Sequence, residues 1–198
     1  TGRCRPRRCR RPAPGWPLAL LALFALPLLT AALVTVPAAS AVVRFSIVSP
    51  AFGAGASIPP RHSCEGADVS PQLKWAGIPD GTTSLALVVD DPDAPDPAAP
   101  KMTWVHWVLY DLPPAARGLP EGVAPKDLPP GTREGRNDWK RTGWGGPCPP
   151  IGTHRYFFKL YAVLPDLGSP TKAALEKAME GHVLGKAELV GTYRKAGR

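Results

Sequence analysis

The sequence predicts a mostly β domain: a sandwich or Greek-key arrangement of antiparallel strands with one or two peripheral helices. Three observations carry this. Several segments of strand length alternate in polarity, or run apolar, and are rich in β-branched and aromatic residues. Only one segment has a full set of helix signals. Residues 42–198 are long enough to bury a proper core and show no internal repeat.

Taken in order, RFSIVS (44–49) alternates, and TSLALVVDD (83–91) is an apolar run ending in carboxylates. TWVHWVLYDL (103–112) and HRYFFKLYAV (154–163) follow, and ELVGTYR (188–194) reads as a last strand. The helix is expected after Ser169 as N-cap, with Pro170 at its first position. Leu175, Ala178 and Met179 share one face, and Gly181 is the stop. Residues 113–153 are rich in Pro and Gly and have hardly any periodicity. A compact domain rarely carries so long an irregular connection without a use for it. The segment ends in Gly145-Gly146-Pro147-Cys148-Pro149-Pro150, which is stiff. Its last third is expected to form the wall of a site.

Charge separates the chain into two parts. The formal net charge is +8, with 24 basic against 16 acidic residues. Six of the arginines lie in residues 1–41, which hold no acid, so the remainder has 18 against 16. That balance excludes a nucleic-acid-binding face driven by excess charge. Residues 1–41 combine a basic start, an apolar run over about 16–36, and Ala39-Ser40-Ala41 before Val42. This pattern fits a cleaved export signal or, if uncleaved, a membrane anchor with its basic end in the cytoplasm. Both place residues 42–198 outside the cytoplasm, as secreted, periplasmic or cell-envelope protein. Only Cys64 and Cys148 then remain. An exported domain with two cysteines suggests one disulfide, and two separate buried thiols are the alternative.

Strand alternation assigns faces. Asp91 closes a row with Leu85, Leu87 and Val89, while Asp90 points the other way. Trp104, His106, Val108 and Tyr110 are expected on one face, as are His154, Tyr156, Phe158, Leu160 and Ala162. Each alone has an ordinary reading. A strand histidine is commonly a satisfied core residue, a tyrosine packs, and Asp before Pro marks a turn. Trp104, Trp107, Trp139 and Trp144 suit either core packing or a sugar or lipid platform. Glu65 and Asp68 are expected to be solvated turn carboxylates. The convergence of Asp91, His106, His154 and Tyr156 is what suggests a site.

At these residues the chain resembles a known family. VVDDPDAP (88–95), TWVHWVLYDLP (103–113) and the stretch from Gly145 through HRYFFKLYAV are similar to signature segments of the phosphatidylethanolamine-binding proteins, also called Raf kinase inhibitor proteins. SCEGADVSPQLKW (63–75), NDWKRTGWGGPCPP (137–150) and MEGHVLGKAELVGTY (179–193) resemble its bacterial YbhB/YbcL branch. The resemblance covers about 44–194 and implies an antiparallel β-sandwich with Greek-key connections and a small anion-accepting pocket. It implies pocket roles for Asp91, His106, Gly146, Pro147, His154 and Tyr156, with Trp104, Asp93 and Pro95 in support. Arg155 faces away and is expected to pair with a carboxylate. Lys140 stands where the branch commonly has Gly, and Trp144 where it has Tyr. The chain ends soon after Tyr193, so a C-terminal helix that partly covers the pocket in animal members is not expected.

The expected ligand is a phosphate-containing small molecule or phospholipid headgroup, held by imidazole N–H groups, the Tyr156 hydroxyl and loop amides, with no turnover and no cofactor. A kinase or protease partner is what the resemblance adds. Two alternatives remain at this level. His106, His154 and Asp91 match a 2-His-1-carboxylate metal set. Cys148 with His154 and Asp91 matches a thiol hydrolase.

Overall fold

The computed structural model describes residues 43–164 and 171–196. The predicted signal or anchor segment, and the predicted cap at Ser169 and Pro170, lie outside the described residues. No helix among the described residues is long and apolar enough to cross a membrane. The strands in chain order are β1 (Ser46–Val48), β2 (Leu73–Ala76), β3 (Ser84–Ala94), β4 (Met102–Leu112), β5 (Gly118–Leu119), β6 (Arg133–Glu134), β7 (His154–Val163) and β8 (Val183–Tyr193). One helix, α1 (Lys172–Met179), precedes β8.

The strands form two antiparallel sheets, as predicted. The smaller has the order β1-β2-β5 and the larger β6-β4-β3-β7-β8. After the β3–β4 pair the chain crosses to the small sheet at β5. It returns at the far edge as β6, then places β7 on the other side of β3. That excursion is residues 113–153. It carries two short strands that no periodicity announced, because two residues are too few to show one.

The main core lies between the sheets. Ile47, Leu73, Trp75 and Leu119 from the small sheet meet Leu85, Leu87, Val89, Trp107, Leu109, Phe158, Leu160 and Leu189 from the large one. A second, smaller cluster covers the outer face of the large sheet, where Leu175 and Met179 of α1 pack on Ala86, Val88, Val105, Val108 and Val163. The helix face was legible. Its start differs: Thr171 caps it, its side chain accepting from the Ala174 amide at 3.3 Å. Asp90 ties the helix to the sheet. Its carboxylate is fully buried on that face, with Lys159 Nζ at 2.8 Å and Lys172 Nζ at 2.7 Å.

β8 begins five residues before the predicted start, and pairs with β7 along its length. Gly185 disguises it. A Cβ there would come within 2.9 Å of Pro79, so the glycine marks a close approach inside a strand rather than a break.

Candidate functional site

Three strands converge at one end of the large sheet. β3 brings Asp91, β4 brings Trp104 and His106, and β7 opens with His154 and Tyr156. They line a pocket of about 350 Å³ whose walls are mostly apolar. Ala94, Pro95, Met102, Trp139, Cys148, Pro149 and Pro150 complete the lining. Pro149 and Pro150 belong to the stretch expected to form the wall, whereas Met102 was not named from the sequence, because an apolar side chain at a pocket reads the same as one in a core.

His106 reaches the pocket by a route that strict alternation misses. Val89 pairs with Trp107, but Asp90 pairs with Val105, so His106 is an extra residue in β4. The bulge shifts the phase of the strand. Trp104 and His106 therefore face Asp91, while Val108 and Tyr110, expected on the same face as them, lie in the outer cluster instead. The β7 row is as predicted: His154, Tyr156, Phe158, Leu160 and Ala162 are all buried on one face.

The hydrogen bonds sort the polar groups. Asp91 Oδ2 lies 2.6 Å from His154 Nδ1, and its Oδ1 accepts from the Asp93 amide at 2.8 Å. His154 Nε2 lies 3.0 Å from the Ile151 carbonyl. Both His154 nitrogens thus face oxygen acceptors, and neither is left to offer a ligand. Burial raises the Asp91 pKa, against the lowering pull of His154 and the Asp93 amide. Asp93 behaves oppositely. Arg155 grips it with Nη2–Oδ1 at 2.6 Å and Nε–Oδ2 at 2.9 Å, and those bonds lower its pKa. The supporting role expected for Arg155 is this pair.

His106 Nδ1 lies 2.6 Å from the Gly145 carbonyl, between the rings of Trp139 and Tyr156 at 5.1 Å each. Burial lowers its pKa to about 4, so the ring is neutral at physiological pH. A carbonyl can only accept, so the ring proton is on Nδ1 and Nε2 is bare. Two donors remain. The Tyr156 hydroxyl and the Trp104 indole N–H are buried without a hydrogen-bonding partner among the described residues. Burial also pushes the Tyr156 phenol far above its ordinary range, which keeps it protonated.

The lip is built for stiffness. Cys64 and Cys148 are bonded, with Cα atoms 5.4 Å apart across 84 residues of sequence. The Cys64 amide donates to Pro147 at 3.1 Å. Gly146 does not line the pocket, and its amide is taken by Asp68 at 2.7 Å. A Cβ on it would sit 2.3 Å from the His62 carbonyl, so only glycine fits. Pro147 is likewise behind the lining. Asp68, expected to be solvated, is a fastener of the wall. Glu65 is exposed, as expected, and accepts from Tyr193 at 2.5 Å. The tryptophans divide: Trp107 and Trp144 pack in and against the core, while Trp104 and Trp139 meet edge to face at the pocket.

The two alternatives find no support. Among the described residues no group of three His, Cys, Asp or Glu side chains is placed to hold a metal ion. The Cys148 sulfur is in a disulfide, not free as a nucleophile.

Comparison with known proteins agrees with this picture. The family model for phosphatidylethanolamine-binding protein matches residues 48–194. A UPF0098 protein of Methanothermobacter thermautotrophicus is 47% identical over 149 residues, covering 73% of this chain and 95% of that one. The UPF0098 protein PH1269 of Pyrococcus horikoshii is 43% identical, covering 75% of this chain and 76% of its own. Among solved structures, the homolog CT736 from Chlamydia trachomatis has a TM-score of 0.70 at 37% identity, covering 77% of this chain and 99% of that one. Escherichia coli YbcL has a TM-score of 0.69 at 31% identity, covering 78% and 100%.

Proposed function

Because this chain belongs to the phosphatidylethanolamine-binding protein family, we propose that its pocket binds the phosphate group of a small molecule or phospholipid headgroup without transforming it. One observation carries the reading. Two buried donors, Tyr156 O–H and Trp104 Nε1–H, lack partners and belong to residues that line one pocket. A buried donor without a partner costs about 1–3 kcal/mol, and a ligand oxygen relieves that cost. Phosphate oxygens are strong acceptors and suit two donors held in a mostly dry site. Gly146 supports the wall and leaves the ligand to side chains. Asp91 and His154, in contact at 2.6 Å, position the end of β7.

Export is proposed with it. The apolar run before Ala39-Ser40-Ala41 motivates it, and a disulfide that clamps the lip suits an oxidising compartment. Intact-mass analysis of the protein recovered from cells tests this. A chain beginning at Val42 supports cleavage, and an intact leader on cytoplasmic protein refutes export.

The binding test uses the tryptophans at the pocket. Titrating the protein with phosphoethanolamine is expected to change indole fluorescence saturably, and Tyr156→Phe should weaken that binding by about 1–3 kcal/mol. Equal affinity in a folded Tyr156→Phe protein rules out the hydroxyl as a phosphate donor.

A further inference from the structure

We propose that the pocket selects phosphate groups that still carry a proton, namely free phosphate and phosphomonoesters as monoanions, over phosphodiesters and sulfate. This rests on the phosphate-binding reading above and adds a rule for which phosphate is taken.

The rule comes from counting donors and acceptors. Tyr156 O–H and Trp104 Nε1–H can meet only acceptor oxygens of a ligand. His106 Nε2 is the opposite kind of group. Its partner nitrogen is protonated toward the Gly145 carbonyl at 2.6 Å, and Nε2 has no hydrogen-bonding partner among the described residues. The ring therefore presents a lone pair. A deprotonated oxygen placed there meets that lone pair with its own, whereas a P–OH donates to it. The matching ligand has at least two acceptor oxygens and one hydroxyl on the same phosphorus. Dihydrogen phosphate and a phosphomonoester monoanion have both. A phosphodiester and sulfate have only acceptors.

The groups around His106 keep it in this form. Asp90 from β3 and Asp138 from the loop before the lip favour protonation from a distance, and His154 from β7 opposes it. Asp91 is occupied by His154 and the Asp93 amide. Tyr156, ring against ring with His106, stays protonated. The neighbouring Trp139 ring carries no charge. Burial outweighs the two carboxylates, so the imidazole stays neutral across the range in which a phosphomonoester loses its second proton.

The test is a set of calorimetric titrations of the full chain at pH about 5.5, where a phosphomonoester is mostly the monoanion, and at about 8, where it is the dianion. The probes are inorganic phosphate, phosphoethanolamine, sulfate and glycerophosphoethanolamine. At the lower pH the first two are expected to bind roughly tenfold or more tighter than the last two; at the higher pH the advantage should shrink for phosphoethanolamine, whose dianion has no P–OH, and persist for inorganic phosphate, whose dianion keeps one. If all four bind alike at both values, the proton rule fails and the phosphate-binding reading stands. If none binds, both fail. Short-chain phosphatidic acid, a monoester lipid, and short-chain phosphatidylethanolamine, a diester, repeat the contrast on lipids. Binding of phosphatidic acid alone upholds the rule with a membrane source, and tighter binding of the diester overturns it. His106→Gln places a rotatable amide near Nε2, and its NH₂ can turn to donate, so the phosphate-to-sulfate ratio should fall toward one. If that variant does not fold, nitrogen NMR of the wild-type ring decides. Nε2 unprotonated with and without phosphate supports the rule, and an Nε2–H in the complex contradicts it.

Discussion

Asp90 and Asp91 are adjacent, buried and chemically identical, and they end on opposite faces of β3 with opposite fates. Asp90 faces the helix and is met by two ammonium groups within 3 Å. Those two lysines, one from β7 and one from α1, tie the helix to the sheet. Asp91 faces the pocket and is met by one imidazole at 2.6 Å. Around it stand a neutral histidine and two donors with no partner. The contrast separates a polar cluster that stabilises from one kept open for something else. Buried polar groups are nearly always satisfied, and two donors without partners on residues that line one pocket are what a bound acceptor would complete.

The largest test of the contrast removes the cations from the Asp90 side. Lys159→Met with Lys172→Met leaves a buried carboxylate uncompensated and should cost about 3–5 kcal/mol in urea unfolding. Phosphate binding by the fraction that stays folded should be unchanged. Equal loss of binding and stability would erase the distinction between the two faces.

The next effect belongs to the pocket side and is a pH dependence. His106 has a folded pKa depressed from 6.5 to about 4. Its contribution to stability is therefore fully present above 6.5 and is lost as pH falls toward 4, because the unfolded chain takes up the proton first. The loss should reach about 3 kcal/mol over that window. His106→Gln should remove that slope, measured as unfolding free energy at several pH values. An unchanged slope would place the titration elsewhere.

Tyr156→Phe sharpens the comparison at smaller scale. Deleting a hydroxyl that has no partner should leave stability unchanged or raise it by up to about 1 kcal/mol while weakening ligand binding. A clear loss of stability would mean that the hydroxyl serves the fold. The smallest effect is at Lys140, where the resembling branch has glycine. Its φ is +62°, a conformation that strains a side chain. Lys140→Gly should raise the midpoint of thermal unfolding slightly, by the equivalent of about 0.5–1 kcal/mol.

How legible these features were in the sequence follows from their range. The β7 row and the orientation of Asp91 and Arg155 follow from a period of two, which is local, and they were read correctly. The bulge at His106 was not. Nothing in TWVHWVLY marks the extra residue, and the register is set by pairing with β3. The family resemblance placed His106 in the pocket, whereas its face-mates Val108 and Tyr110 were assigned wrongly. Gly146 was given a pocket role by the family resemblance. Its actual constraint comes from His62 and Asp68, about 80 residues away in sequence. The imidazole N–H groups expected as donors are spoken for by Asp91, Ile151 and Gly145, a fact of tertiary hydrogen bonding that residue types alone do not contain.

The measurement that tests the central claim most directly is an NMR titration of the protein with phosphoethanolamine. It follows the indole N–H of Trp104, the His106 ring and the Tyr156 ring alongside Lys159 and Lys172. Saturable shifts at the first three, with the lysines still, are the predicted result. No shift at any of the three at millimolar ligand, or equal shifts on both faces of β3, would contradict it.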